Sequence, residues 1–258
     1  MQVTIKIARY TLLDLLYNRV TIFYTFFLLG VSLVIFNLDD NVSKGILSLV
    51  NIILLIVPLV SIVFATIHMY NSSEFIELLL ARPIQRTRIL VGHFAGIATA
   101  LSTAFLVGIG LPVMLYAASA TGITLIAAGW LLTLCFVSIA MLAAVTTRDK
   151  ARGIGIAILL WFLFTMIYDG FVLWVLFAFN DYPLERPVLV LTALNPIDLA
   201  RIVLLLKIDI SAFMGYTGAL YKDYFGTAKG MIITTSVLLC WIIIPMYLAV
   251  RKFKRRDI

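Results

Sequence analysis

Charge is scarce in this chain. Of its 258 residues 13% are charged and 63% hydrophobic, too little polar surface to clothe a water-soluble globule of ordinary composition. Cysteine and histidine are nearly absent, with Cys135, Cys240, His68 and His93 accounting for all of them. The two cysteines lie far apart inside apolar runs, without Cys-x-x-Cys spacing, which excludes a disulfide framework and leaves them as small core hydrophobes. His68, Met69 and His93 flank a charged segment, but no carboxylate or second ligand cluster joins them, so no metal site is expected. Catalytic signatures are missing as well. There is no Gly-x-x-x-x-Gly-Lys-[Ser/Thr] phosphate loop, no His-Glu-x-x-His pair and no Gly-x-Ser-x-Gly elbow. Gly153-Ile-Gly155 opens an apolar run and lacks the third glycine and downstream acid of a dinucleotide site. The chain is expected to be non-catalytic and to bind no cofactor.

What it has in abundance is apolar length. Six runs, at about 20–38, 46–69, 89–117, 122–146, 153–179 and 228–250, approach or exceed the roughly 20 residues needed to cross a bilayer as helix. The fold class is an all-α polytopic membrane protein, a single transmembrane domain over 1–258. The third and fifth runs are long enough to kink, and Pro112, Gly153 and Gly155 are the expected sites of irregularity.

A net charge of +7 invites a nucleic-acid reading, but its distribution is that of membrane topology. With even-numbered crossings, one side receives Lys6, Arg9, Arg19, Arg82, Arg86, Arg88, Arg148, Lys150, Arg152 and the tail residues Arg251, Lys252, Lys254, Arg255 and Arg256. The other side receives only Lys44, Arg186, Arg201, Lys207, Lys222 and Lys229. The positive-inside rule then puts both termini in the cytoplasm, with the basic tail facing anionic lipid headgroups. No nucleic-acid partner is expected.

Residues 1–19 place Ile5, Ala8, Leu12, Leu15 and Leu16 on one helical face, with Lys6, Arg9 and Asn18 elsewhere. That pattern suits a helix lying in the membrane interface rather than a cleavable signal. The first outer loop, 37–41, reads as a turn or at most a small partner contact, and the inner loop 146–152 as a solvated turn or a small partner contact.

The segment 70–88 separates the second and third runs. Glu74 and Glu77 open a short amphipathic helix, Ile76, Leu78, Leu79 and Leu80 give it apolar contact, and Arg82-Pro83 stops it before Arg86 and Arg88 begin the next run. It reads either as a surface helix or as a helix that docks on a cytosolic partner. Asp169, beside Tyr168, is the acid well inside a run. It must face protein or water, be protonated, or find partners such as Tyr168 or Thr165, and a part in a conformational pathway and a buried hydrogen bond both suit it. The outer region 180–227 opens with the helix-breaking Asp181-Tyr182-Pro183 and Arg186-Pro187. It then shows a helix start at Asn195-Pro196-Ile197-Asp198: an amide to cap, a proline at the first position and an acid against the dipole. The apolar stretch to Lys207, which carries Arg201, is too short to span, so an interfacial or re-entrant helix is expected.

The pattern Glu-x-x-Glu-Leu-Leu-Leu-x-Arg-Pro-x-x-Arg-x-Arg-Ile-Leu-x-Gly over 74–92 resembles the coupling segment of ABC-2 type transporter permeases. The six runs, inner termini and helix-bearing outer loop fit the same family. The resemblance implies that Glu74, Glu77, Leu78, Leu79, Arg82 and Arg86 meet a separate cytosolic ATPase, which holds ATP and Mg, and that the permease pairs with a second copy of itself. Trp161-Phe-Leu-Phe164 with Tyr168-Asp169, then Leu194-Asn195-Pro196-Ile197-Asp198 with Arg201, is similar to the permeases that mature nitrous oxide reductase. That likeness implies the bacterial inner membrane, a periplasmic β-helix copper-assembly protein as partner, and Asn195, Pro196, Asp198 and Arg201 as a cap or an outer-partner surface. An exporter of drugs, lipids or polysaccharides shares the coupling pattern and remains the alternative, with an intramembrane enzyme behind it.

Overall fold

In a computed structural model of the protein, described for residues 2–38, 42–179, 185–207 and 228–255, every described element is helical. The chain begins with α1 (Gln2–Leu16) and α2 (Arg19–Leu38), then α3 (Val42–Asn71) and the short α4 (Ser73–Leu80). Next come α5 (Arg86–Phe105), a π turn over Leu106–Gly110, α6 (Leu111–Tyr116) and α7 (Ala120–Thr146). The second half holds α8 (Lys150–Phe162), a π turn over Leu163–Ile167, α9 (Tyr168–Ala178), α10 (Glu185–Ala193), α11 (Pro196–Lys207) and α12 (Ala228–Lys254). Among the described residues six helices are long and apolar enough to cross a membrane: 19–38, 42–71, 86–116, 120–146, 150–178 and 230–254. Of the expected loop 37–41, Asn37 and Leu38 instead end α2, and residues 39–41, the turn at 181–183 and the stretch 208–227 lie outside the described residues.

Spans two, three and four form the centre, with 50%, 67% and 67% of their apolar windows buried, against 28%, 17% and 17% for spans one, five and six. Lipid is as apolar as leucine, so close packing rather than expulsion from water must hold such a bundle together. Phe105, Phe136, Ile53 and Leu101 fill its interior. Cys135 is buried there, whereas Cys240, expected in the core, is exposed on span six.

The interfacial helix is tied down more tightly than its sequence suggests. Ile7, Thr11 and Leu15 are buried, while Ile5 and Leu16 of the expected apolar face are exposed. The reason lies on α5, where Gly92 and Gly96 stand one turn apart. A Cβ on Gly92 would come within 2.9 Å of the Ile7 side chain, and one on Gly96 within 2.5 Å of Thr11 Cβ. Two small residues four apart let the backbones approach, and α1 turns toward that groove.

Both long spans carry a π turn, one where irregularity is expected and one not. The π turn before Pro112 follows from a missing donor: proline has no N–H for the Gly108 carbonyl four residues back. Ser32 Oγ from α2 supplies it at 2.8 Å. In span five the irregularity falls at Leu163–Ile167 and not at Gly153 or Gly155. Gly153 is instead a close-approach site, since a side chain there would overlap the Tyr70 ring, and Gly155 faces open space.

Candidate functional site

Two sites take shape from this arrangement, one at the charged end of the bundle and one deep against span five. At the charged end, α4 runs from Ser73 to Leu80 and stops before Arg82-Pro83. The Ala81 and Arg82 amides close its last turn on the Glu77 and Leu79 carbonyls, at 3.1 and 3.3 Å. Ile76 is buried and anchors the helix, Leu79 and Leu80 are partly buried against the core, and Leu78 is 70% exposed. Glu74, Glu77 and Arg82 are exposed beside it. The outward face is therefore acidic with one leucine, and Leu79, expected among the partner contacts, is turned inward.

Phe75 stacks on Tyr10 of α1, ring centroids 4.8 Å apart, and meets the edge of His93 at 6.0 Å. Behind α4 the chain ends are laced together. Tyr70 OH bonds Thr147, Lys150 Nζ donates to Asn71 Oδ1 at 2.7 Å, and Lys252 Nζ donates to Thr146 Oγ1 at 3.2 Å. Arg86, read as a partner contact, donates to the Lys254 carbonyl at 3.3 Å and so braces the end of span six. Asp149 caps α8 by accepting from Ala151 N at 2.7 Å and Arg152 N at 3.3 Å, so its carboxylate belongs to the turn. Between α4 and these ends opens a cleft of about 520 Å³, with Tyr70, Ile76, Glu77, Lys150 and Phe253 on its walls. The aromatic and glycine contacts that fix α1 to α4 and α5 were not anticipated from the sequence. The Gly92-x-x-x-Gly96 spacing was the available signal.

The second site is built by α10 and α11, a helical hairpin that enters the bundle. Its turn residue Asn195 is fully buried, and so are Ile197, Ala200 and Leu204. Asn195 does three things at once. Its Oδ1 accepts from Ile197 N at 3.0 Å as a helix cap, and its Nδ2 reaches both Asp198 Oδ2 at 3.0 Å and the Phe164 carbonyl at 2.8 Å. Phe164 lies in the π turn, near the middle of span five, so the hairpin is re-entrant and not merely interfacial. Trp241 of α12 donates to the Ala193 carbonyl at 3.1 Å, and Tyr168 OH to that of Leu191. Non-spanning backbone at membrane depth is thereby covered by protein, as it must be.

Asp169 finds neither Tyr168 nor Thr165. Its Oδ2 accepts from Arg201 Nη1 at 2.8 Å, and the same nitrogen lies 3.2 Å from Asp198 Oδ1. Burial and, after it, the Asp169 charge push the Asp198 carboxyl above the usual carboxylate range, against the pull of Arg201. Asn195, Pro196 and Asp198 thus turn inward, with Asn195 in the expected role of helix cap, while Arg201 pairs with Asp169 and keeps about a third of its side chain exposed. Asn195 and Asp198 hold the hairpin against span five. Only an opposite-sign residue in the next apolar stretch hinted at the Asp169–Arg201 pair. Among the described residues no group of three or more His, Cys, Asp or Glu side chains is placed to hold a metal ion.

Comparison with known proteins gives one family and two relatives. The model of the ABC-2 family transporter protein matches residues 32–258. A protein of Stutzerimonas stutzeri named probable ABC transporter permease protein NosY is 28% identical over 231 residues, covering 84% of this chain and 82% of that one. A Pseudomonas aeruginosa protein of the same name is 29% identical over 279 aligned positions, covering all of both chains.

Proposed function

Because this chain belongs to the ABC-2 transporter family, we propose that it is the membrane subunit of an ATP-driven complex whose ATPase seats on the charged end, against α4. The observation that carries this is the exposed Glu74, Glu77 and Leu78 face standing beside the 520 Å³ cleft. A helix anchored by Ile76 and braced by Tyr10 can receive a push without bending away. ATP and Mg belong to the partner, where positioning and charge stabilisation of the phosphates drive hydrolysis. The charged end then faces the cytoplasm, with both termini there and the chain in the bacterial inner membrane, in keeping with the positive-inside rule.

A second copy covers the sparsely buried faces of spans one, five and six, since identical subunits close most readily about a two-fold axis. The complex serves the maturation of nitrous oxide reductase. The residues of span five and the hairpin support this, and so do relatives named as permeases of one kind. The permease transmits work to a periplasmic β-helix copper-assembly protein, and copper is handled outside the membrane. That suits a chain so poor in Cys and His.

Affinity purification of the full-length chain from native membranes, with identification of the co-purifying chains, tests this. An ATPase, a second permease copy and a periplasmic β-helix protein are expected. Absence of any ATPase would overturn the reading, and an ATPase without the β-helix protein would replace the maturation role with an exporter's.

A further inference from the structure

Asp169, Asp198 and Arg201 join two parts of the molecule. Asp169 belongs to span five, Asp198 and Arg201 to the re-entrant hairpin, and both carboxylates meet the same guanidinium nitrogen. Fully ionised, the cluster holds two negative charges and one positive, a net −1 where an uncompensated charge is costly. Among the described side chains, the elements packed around it bring no further charge near it. α7 has no charged residue, and Lys44 of α3 is exposed. Arg251, Lys252 and Lys254 of α12 lie at the far end of span six. The side chains of Glu185 and Arg186 on α10, Lys207 on α11 and Lys229 on α12 lie outside the described residues. Asn195 donates to one oxygen of Asp198, while the other, Oδ1, is buried and has no directed hydrogen bond. The Asp198 carboxyl also lies within hydrogen-bond reach of the Asp169 carboxylate, so a single proton between them makes one a donor to the other. The side chains of Asp169 and Arg201 are each 32% exposed, so the cluster is not sealed from proton exchange.

We propose that Asp169, Asp198 and Arg201 form a proton-operated latch: one proton shared by the two carboxylates makes the cluster neutral and fastens the hairpin to span five, and its loss leaves a net charge that loosens the hairpin. The sign follows from linkage. The docked cluster holds a proton that a solvated aspartate, with a pKa of about 3.9, gives up. Docking therefore weakens as pH rises from that value toward the raised one, by up to about tenfold per pH unit, and levels off above it. The latch gives the hairpin two positions that a proton, taken up or released, can choose between. It stands independently of which cargo or partner the complex serves.

Hydrogen exchange of the α11 amides, corrected for intrinsic rates, tests it on the full-length chain in lipid nanodiscs between pH 5 and pH 8. Wild-type protection is expected to fall with rising pH by up to tenfold per unit. Asp198→Asn and Asp169→Asn each leave one carboxylate with one guanidinium, and both should keep their protection and lose its pH dependence. Should Asp198→Asn be unprotected at every pH, Asp169→Asn alone decides. Infrared absorption of a protonated carboxyl in the wild type should decline over the same interval. A pH-independent wild type, a variant that follows the wild-type titration, or no protonated carboxyl band at pH 5 would each overturn the latch.

Discussion

Ser32 Oγ donates to the Gly108 carbonyl at 2.8 Å, filling the place that Pro112 leaves empty in its own helix. The two residues form a pair: the proline creates an unmet acceptor inside the bundle, and the serine of a different span meets it. Ser32→Ala alone should lower stability by about 1 kcal/mol, the ordinary scale of an interhelical hydrogen bond in a membrane. Pro112→Ala restores the helix's own donor, so Ser32→Ala in that background should cost much less. Unfolding of the four proteins of this cycle in detergent checks the coupling, and additive effects would show that the serine and proline act separately.

Asn195 carries a larger share because it serves three groups. Asn195→Ala removes a helix cap, worth about 1 kcal/mol, and the donor to the Phe164 carbonyl, worth about as much again. The expected loss is about 2 kcal/mol, read as a lower unfolding midpoint. Asn195→Asp is the informative companion. It keeps the cap oxygen but withdraws both donated bonds and sets a carboxylate against Asp198, so it should be at least as destabilising as alanine at pH 8. A midpoint at wild-type level for Asn195→Asp would remove the asparagine amide from the account of the hairpin.

The boundaries of the six spans, the stop at Arg82-Pro83 and the cap at Asn195 were legible because each rests on local chemistry: run length, a missing N–H, an amide side chain before a helix. The family resemblance of 74–92 was legible for the same reason, being one contiguous pattern. Side-chain direction was not. Leu78 and Leu79 are equally apolar, and only the packing of α4 on α1 and the core turns one out and the other in. The pairing of Arg201 is not legible either, because nothing nearby in sequence says that α11 returns beside Asp169. The π turn at Leu163–Ile167 has no glycine or proline inside it. It coincides with the place where Asn195 seeks a carbonyl, a tertiary cause that no local pattern records.

The groove that seats α1 makes a steep prediction. Gly96→Leu drives a side chain into Thr11 and the Ala8 carbonyl, whose distances to a Cβ are 2.5 and 2.8 Å, the latter rigid backbone. Gly92→Leu meets Ile7 and the Thr4 carbonyl at 2.9 and 3.1 Å. Overpacking of this kind costs about 1–3 kcal/mol, with Gly96 the worse of the two. Gly30→Ala, with nothing within 4 Å of its Cβ, is the matched control. Protease cleavage within residues 2–16 should accelerate in both leucine variants and not in the control. Equal cleavage in all four proteins would mean that α1 is not held by these glycines.

The outward face of α4 separates docking from folding. Leu78 is 70% exposed, and Ile76, two residues earlier, is 6% exposed. Leu78→Asp adds charge where the helix is already acidic and solvated, so the isolated permease should keep its unfolding midpoint within about 0.5 kcal/mol. In the proposed complex that leucine is the apolar centre of the contact, so Leu78→Asp with Glu77→Lys should abolish co-purification of the ATPase. Ile76→Asp buries an unpaired charge against the core and should instead cost about 3 kcal/mol or more of the permease's own stability. Leu79→Ala belongs with Ile76: its effect should appear in the unfolding midpoint before it appears in docking. The measurement is a pair of readings on each variant, midpoint in detergent and ATPase retained per permease. If the Glu77/Leu78 variant retained its ATPase at wild-type stoichiometry, α4 would be only a surface helix of the membrane interface, and the docking site would have to be sought on the loop at 147–149 or the basic end of α12.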